Sequence, residues 1–544
     1  PRTLYTYNGP PTALTHAKNS FAQDNDDISP TLSASVFLEV EGTTKDWPLG
    51  DFIHSEPAIV PYYNDLNGNG QIEDNEVTSY IFAGANDGML HCFSDEDGSE
   101  EWGFVPPGQI ERLPLLLNSD HDYFVDGSPA VYDGETKKIL MIGERRGGDT
   151  YYSLDITNPT APAWLYSIGP DLLVGEDGDE DGSADGASAT LGYSWSRPQV
   201  HVMKDGAGPN SKEEVFLLGG GYDTNQDLST PAASDTVGRA IFTVEVETGS
   251  VGPLNVNAGN FSAMTHSIVD VAGIDPDGDG LTNRVYAGDL GGHIFALEDD
   301  DLDGEWESRV LLDLPAQIVV DEETVKLGQK FMYPPEATAE LYGEYLFIGS
   351  GDRAHPLDTD FTDALYAIRN DWAEDESGNP VSVAFSDLVD VTGNLIQVGT
   401  VDEQAAARLA LAESKGWYIR LTHAGEKVVS SPIVFAGTVL FTTYTPSDGS
   451  IGDDVCAGPA SRGTARLYAI DYLTGGAAMD FTEDGQKTTE DRSIVIGTAI
   501  PSAPVIVVTR GEPRVLVGVE GGLQTLDTGA KTTLQFYYWR QLFN

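Results

Sequence analysis

Strand-length apolar runs punctuate the chain from end to end, each closed by Gly, Asp, Asn or Pro. Their β-branched and aromatic residues predict strands, and the runs recur as an ordered set of cues. A first strand carries a Pro after a small or charged residue. A second ends in Gly. A third carries an aromatic residue and often ends in Asp or Glu. The first copy reads SEPAIV (55–60), YIFAGANDG (80–88), LHCFSDEDG (90–98) and EEWGFV (100–105). Later copies are as clear, among them RVYAGDLGG (284–292) with HIFALED (293–299), and YLFIGSGD (345–352) with ALYAIRND (364–371).

Seven such units of about four strands predict an all-β chain folded as a seven-bladed β-propeller with inserted loops and short helices. The blades are expected at about 51–107, 124–170, 191–255, 262–316, 330–375, 425–482 and 495–544, so that 51–544 form the propeller. A β-sandwich array would not hold the cues in a fixed order. Residues 1–50 precede the first unit and are expected to pack on the propeller, along its side or closing its ring. Helical spacing shows in 106–124 and, more strongly, in the Ala-rich stretch 402–415, which opens on acidic residues. Segments 170–190 and 447–463 read as polar, Gly-rich loops.

Charge narrows the function. With 30 basic and 87 acidic residues the formal net charge is −57, which repels nucleic acid and anionic lipid. The acid excess serves solvation and, where the spacing suits, cation binding. Only Cys92 and Cys456 are present, without the spacing of a zinc site or a disulfide framework, so two free thiols are expected. No apolar run is long enough for a transmembrane helix. The chain opens PRTLYTYNG without an initiator Met or a signal pattern, as expected of a processed or excised piece.

Three acidic loops have ligand-like spacing for Ca²⁺, a hard cation that takes oxygen donors folded inward around a Gly-containing turn. Residues 65–76, DLNGNGQIEDNE, follow the twelve-residue EF-hand loop. Asp65, Asn67 and Asn69 supply side-chain oxygens, Gln71 a carbonyl, and Glu73 and Glu76 carboxylates. Residues 275–283 place Asp275, Asp277, Asp279 and Asn283 around Gly280, with Leu281 in the candidate ligand set. Residues 177–185 place Asp177, Asp179, Asp181 and Asp185 likewise, with Ser183 counted in the set, but within a low-complexity acidic loop. Asp299, Asp301, Asp303 and Glu307 mimic the spacing and read as an acidic turn. Loops 65–76 and 275–283 each join the first and second strands of a blade, which predicts one face for both. Loop 177–185 joins two blades and is expected on the other.

YIFAGANDGMLHCFSDEDGSEEWGFVPPG (80–108), YFVDGSPAV (123–131), RVYAGDLGG after its Asp ladder, KGWYIRL (415–421) and VVSSPIVF (428–435) together resemble the C-terminal domain of the PilC/PilY family of type IV pilus tip-associated proteins. The resemblance spans roughly residues 50–530. It implies a modified seven-bladed propeller, secreted to the cell surface and associated with minor pilins of the pilus tip complex. It also implies adhesion to a host or abiotic surface and calcium-dependent control of pilus extension and retraction. The family's nine-residue calcium loop matches Asp275, Asp277, Asp279 and Asn283, with Asn where the family pattern favours Asp. Members usually carry a variable N-terminal region, often von Willebrand A-like. Residues 1–50 show none, so the chain is expected to be the conserved half.

The unit ANDGMLHCFSDEDGSEEW (85–102) also resembles the repeats of quinoprotein dehydrogenases, propellers that hold pyrroloquinoline quinone and Ca²⁺. Against that reading, the cysteines are far apart and only the first unit keeps the full Gly-to-Trp cue. No HExxH, GxSxG or phosphate-loop motif is present, and the nine His show no triad spacing. The expectation is therefore no enzyme. A structural surface protein whose calcium only stiffens loops is the other reading, since a ligand at 100 times its Kd adds about 2.7 kcal/mol.

Overall fold

Strand Lys138–Ile142 explains how a run as apolar as ILMI can sit in this chain. Its alternate side chains point to opposite faces of the sheet. Leu140 and Ile142 join a core with Phe82, Leu90, Trp102 and Phe104 of the preceding sheet. Ile139 and Met141 join another with Phe216, Leu218, Phe242 and Val244 of the following one. All four are fully buried. Both faces being covered, the strand reads as continuously hydrophobic.

The computed structural model describes residues 2–25, 28, 32–42, 49–63, 73, 76–118, 121–170, 191–208, 211–228, 233–254, 263–299, 301–304, 306–340, 343–372, 381–447, 463–509 and 512–527. They fall into two units, residues 1–226 with 232–258, and residues 227–231 with 259–544. The first unit holds three sheets and the second four, besides a two-stranded hairpin, and these seven sheets are the blades of a seven-bladed β-propeller.

In the first unit, blade one runs Ala58–Tyr63, Val77–Ala85, Met89–Ser94 and Glu100–Phe104, each strand antiparallel to the last. A fifth, two-residue strand, Leu4–Tyr5, adds parallel to Glu100–Phe104. The N-terminal segment continues onto blade two, where Tyr7 stacks on Trp164 at 4.4 Å and Ala13 pairs with Ala163. Blades two and three are four-stranded meanders. The stretch 106–118 forms two short 3₁₀ turns, Pro107–Gln109 and Leu113–Leu117.

In the second unit, blade four comprises Val271–Ile274, Arg284–Gly288, His293–Glu298 and Glu307–Asp313. Tyr286, Ile294 and Ala296 pack it onto Leu346, Ile348, Tyr366 and Ile368 of blade five. Phe347, Leu365 and Trp417 on the other face of blade five meet Val439, Phe441 and Ile470 of blade six. Blade six in turn packs Leu440, Leu467 and Ala469 onto Val515 and Val517 of blade seven.

Blade five departs from the simple meander. Its fourth strand, Gly416–Arg420, follows an insertion carrying helix Val401–Glu413, so residues 330–375 enclose only the first three strands. The helix starts at a reciprocal capping box, in which Thr400 and Glu403 bond each other's backbone N–H. Blade seven shows three strands, and the stretch TLQFYYW (533–539) lies outside the described residues, as does Cys456. Cys92 is buried in blade one without a disulfide partner among the described residues, and burial pushes its thiol upward. No helix among the described residues is long and apolar enough to cross a membrane.

The recurrent Pro cue has a physical reason. Ser55, Ser196, Ser430 and Ser502 each stand two residues before a Pro. Their hydroxyls accept the backbone N–H of Gly84, Gly219, Thr442 and Gly518, in or at the end of the second strand, at 2.8–3.0 Å. The Pro, which has no N–H to pair, immediately precedes the first strand while the Ser ties the second to it. Each such bond contributes about 1 kcal/mol.

Candidate metal loops of the fourth blade

The first two strands of blade four pair from Val271↔Ala287 to Ile274↔Arg284, and the loop 275–283 closes above that last pair. Asn283 donates its N–H to the Ile274 carbonyl at 3.3 Å, pinning the loop's base. Within the loop Asp275 organises the backbone. Its Oδ1 accepts from Gly278 (2.8 Å) and Asp279 (3.2 Å), and its Oδ2 from Gly280 (2.8 Å). Asp277 accepts from the Asp279 N–H at 3.3 Å, and Asp279 from the Leu281 N–H at 2.8 Å. Gly278 and Gly280 make this winding possible, at φ +77° and +90° in the left-handed region.

The winding gathers charge. Oxygens of Asp275, Asp277 and Asp279 lie within 4.8 Å of one another. At that distance each pair of carboxylates repels by roughly 1 kcal/mol in water, and by more where water is excluded. Asn283 is buried, and its Oδ1 has no hydrogen-bond partner among the described residues. A buried amide oxygen without a donor costs about 1–3 kcal/mol. A hard divalent cation would relieve the carboxylate repulsion, and Asn283 offers a further oxygen donor at the end of the same loop, so the residue types present fit Ca²⁺.

A second acidic turn adjoins the first through the backbone. Asp299 donates its N–H to the Asn283 carbonyl at 3.1 Å. Its carboxylate accepts from Asp303 (3.0 Å) and Gly304 (3.1 Å), the same winding one hairpin later. Asp299 is only 2% exposed, and burial, with Asp303 and Asp301 nearby, raises its pKa. Oxygens of Asp299, Asp301 and Asp303 cluster within 4.8 Å, as those of the first loop do. Spacing alone had marked this stretch as a turn; the burial of Asp299 carries no signal in a single sequence.

Immediately beneath Asn283 lies a polar network that joins blades four and five. The Arg284 guanidinium sits 4.4 Å from the Trp372 ring centre, with Glu298 and Glu344 each 3.8 Å away. Tyr286 donates to Glu344 at 3.1 Å and accepts from Asn370 at 2.9 Å, while the Trp372 indole also donates to Glu344. Burial, then the Glu344 charge, raises the Tyr286 pKa well above its ordinary value and keeps it a neutral donor. Arg309 covers Trp372 as well, at 4.7 Å. The position next to the candidate loop is thus wired into a blade interface.

Of the other candidate ligands, Asp65, Asn67, Asn69 and Gln71 lie outside the described residues. Glu73 and Glu76 are described: the Glu76 carboxylate accepts the Glu73 N–H at 3.1 Å, and Glu76 is 2% exposed. Their loop connects the first and second strands of blade one, as 275–283 does in blade four. Asp177, Asp179, Asp181, Ser183 and Asp185 lie outside the described residues, between blades two and three in the chain.

Similarities to known proteins run along the same stretch. A family model described as the PilY1 beta-propeller domain matches residues 49–307. A type IV pilus biogenesis factor PilY1 homolog of Xylella fastidiosa is 27% identical over 473 residues, covering 79% of this chain and 30% of that protein. The type IV pilus biogenesis factor PilY1 of Pseudomonas aeruginosa is 26% identical over 501 residues, covering 80% of this chain and 39% of that protein. The chain therefore spans well under half the length of these relatives. The crystal structure of the P. aeruginosa PilY1 C-terminal domain superposes with a TM-score of 0.55 at 19% identity, over 83% of this chain and 93% of that one.

Proposed function

We propose that the chain belongs to the PilC/PilY family of propellers, to which it is similar, and that it is a calcium-binding, tip-associated part of a type IV pilus. On this reading it acts in surface adhesion and in calcium-dependent control of pilus extension and retraction. The observation that carries the calcium reading is the cluster of Asp275, Asp277 and Asp279 in a loop that ends at Asn283, whose buried side-chain oxygen has no hydrogen-bond partner among the described residues. The names of the relatives, type IV pilus biogenesis factors, support the pilus side.

Asp275, Asp277, Asp279 and Asn283, with the Leu281 carbonyl, would hold the ion, which supplies the positive charge that the loop lacks. The same reading extends to Asp65, Asn67, Asn69, Gln71, Glu73 and Glu76, and to Asp177, Asp179, Asp181, Ser183 and Asp185. The chain's own residues do the rest. Asp275 fixes the backbone of the turn, and Asn283 passes its position to Arg284 and so to the contact of blades four and five. Occupancy then changes the rigidity of a blade edge, where a protein partner can sense it. The partners are minor pilins of the tip complex and a host or abiotic surface, met extracellularly by contact and without catalysis.

A piliated bacterium carrying Asp277→Ala in its full-length copy tests this. Surface pili and twitching motility, compared with and without chelator, are expected to respond to calcium in the wild type and not in the variant. An equal calcium response in a variant secreted at wild-type levels would overturn the regulatory role.

A further inference from the structure

A second cluster in blade four has different chemistry. His266 lies ahead of strand Val271–Ile274, Asp289 follows strand Arg284–Gly288, and His293 opens strand His293–Glu298. The hairpin turn brings the last two together and the first strand's approach delivers the third. One ligand atom from each lies within 4.8 Å of the others. We propose that His266, Asp289 and His293 form a transition-metal site, of the Zn²⁺ or Co²⁺ class, separate from the calcium loops.

Turn geometry explains part of this cluster and leaves the rest. Asp289 is fully buried, and its Oδ1 accepts from the N–H groups of Gly291 (2.9 Å) and His293 (2.8 Å), as a hairpin cap would. Its Oδ2, however, faces His293 Nδ1 at 2.8 Å, and a cap does not require an imidazole there. Nor does it require His266, which comes from outside the hairpin. The two imidazoles stack at 6.5 Å with 28° between their planes. A Cβ on Gly291 would come within 2.0 Å of His266 Nδ1, so this glycine is what lets the ring lie over the turn. Thr265 Oγ1 bonds His266 Nδ1 at 2.9 Å, and Asp313 stands 3.7 Å from His293 Nε2.

Two imidazoles and one carboxylate suit a borderline ion and leave a coordination position open, whereas Ca²⁺ takes oxygen ligands. The donor set therefore separates this site from the loop 275–283 by chemistry. Sequence spacing did not disclose it, because His266 is remote in the chain from the other two and only the sheet register joins them.

Untagged protein, stripped of metal and then saturated with Ca²⁺, tests the proposal by Co²⁺ titration in visible absorption with Zn²⁺ competition. One equivalent of Co²⁺ is expected to give ligand-field bands that Zn²⁺ abolishes. His266→Ala and His293→Ala are expected to lose the bands, and Gly291→Ala to weaken binding while every ligand is kept. Asp277→Ala is expected to keep them, so failure of the calcium reading would leave this one standing. Absence of bands in the wild type, or equal bands in both histidine variants, would overturn the site.

Discussion

At the scale of single residues, Asn283 decides most. Its side-chain oxygen is buried and has no hydrogen-bond partner among the described residues, and it stands at the last candidate ligand position of the loop. Asn283→Asp adds a buried charge at the end of a loop that already carries three carboxylates. Without metal that charge is expected to cost about 1–3 kcal/mol. With calcium it becomes a fourth anionic ligand and tightens binding. Thermal melts should therefore show the variant below the wild type in chelator, with a larger gain on adding calcium. An equal gain in both proteins would mean that Asn283 does not touch the ion. The clustering of Asp275, Asp277 and Asp279 was legible because the three stand at alternate positions of one Gly-containing turn. The burial of Asp299 and the assembly of His266 with Asp289 and His293 were not, because both depend on which strands pair.

At the scale of elements, the strands are where sequence and structure agree best. A β-strand buried on both faces shows as an unbroken apolar run, and Lys138–Ile142 is read directly from its residues. Leu140→Ala opens a cavity between blades one and two and is expected to destabilise by about 2–5 kcal/mol. Chemical denaturation followed by tryptophan fluorescence would measure that loss; a change below 1 kcal/mol would argue against tight packing there. Helix Val401–Glu413 was legible from its Ala-rich composition, and Thr400 and Glu403 stand at the spacing of its capping box. Strand Gly416–Arg420 was harder to assign. It is divided from its blade by the helical insertion, and a strand cannot announce across such a gap which sheet it joins. The two-residue strands Leu4–Tyr5 and Val389–Asp390 are too short for any periodicity.

At the scale of the whole molecule, a formal charge of −57 meets several buried acids. Burial raises Glu144 and Glu336 to about 7 and Asp363 to about 6. The folded chain holds these protons more tightly than the unfolded one. The stability they give is full below about 4.5 and is lost as pH rises through 6 to 7. Glu100 works the other way. Against its burial, Arg2 and His91 hold it at about 2, so its contribution is lost only as pH falls towards 2. From these groups, in chelator, the melting temperature is therefore expected to peak near pH 4.5 and to fall towards neutrality. A maximum at pH 7 or above would contradict that assignment of buried acids. Calcium supplies positive charge to the acidic loops, so its stabilising effect should be largest where the carboxylates are ionised.

The most direct test of the account is isothermal calorimetry of chelator-stripped protein titrated with Ca²⁺, in the wild type and in Asp277→Ala. The wild type is predicted to bind saturably, and the variant to lose one class of sites while keeping its fold at saturating calcium. No saturable heat, or identical isotherms for the two proteins, would contradict calcium binding at loop 275–283.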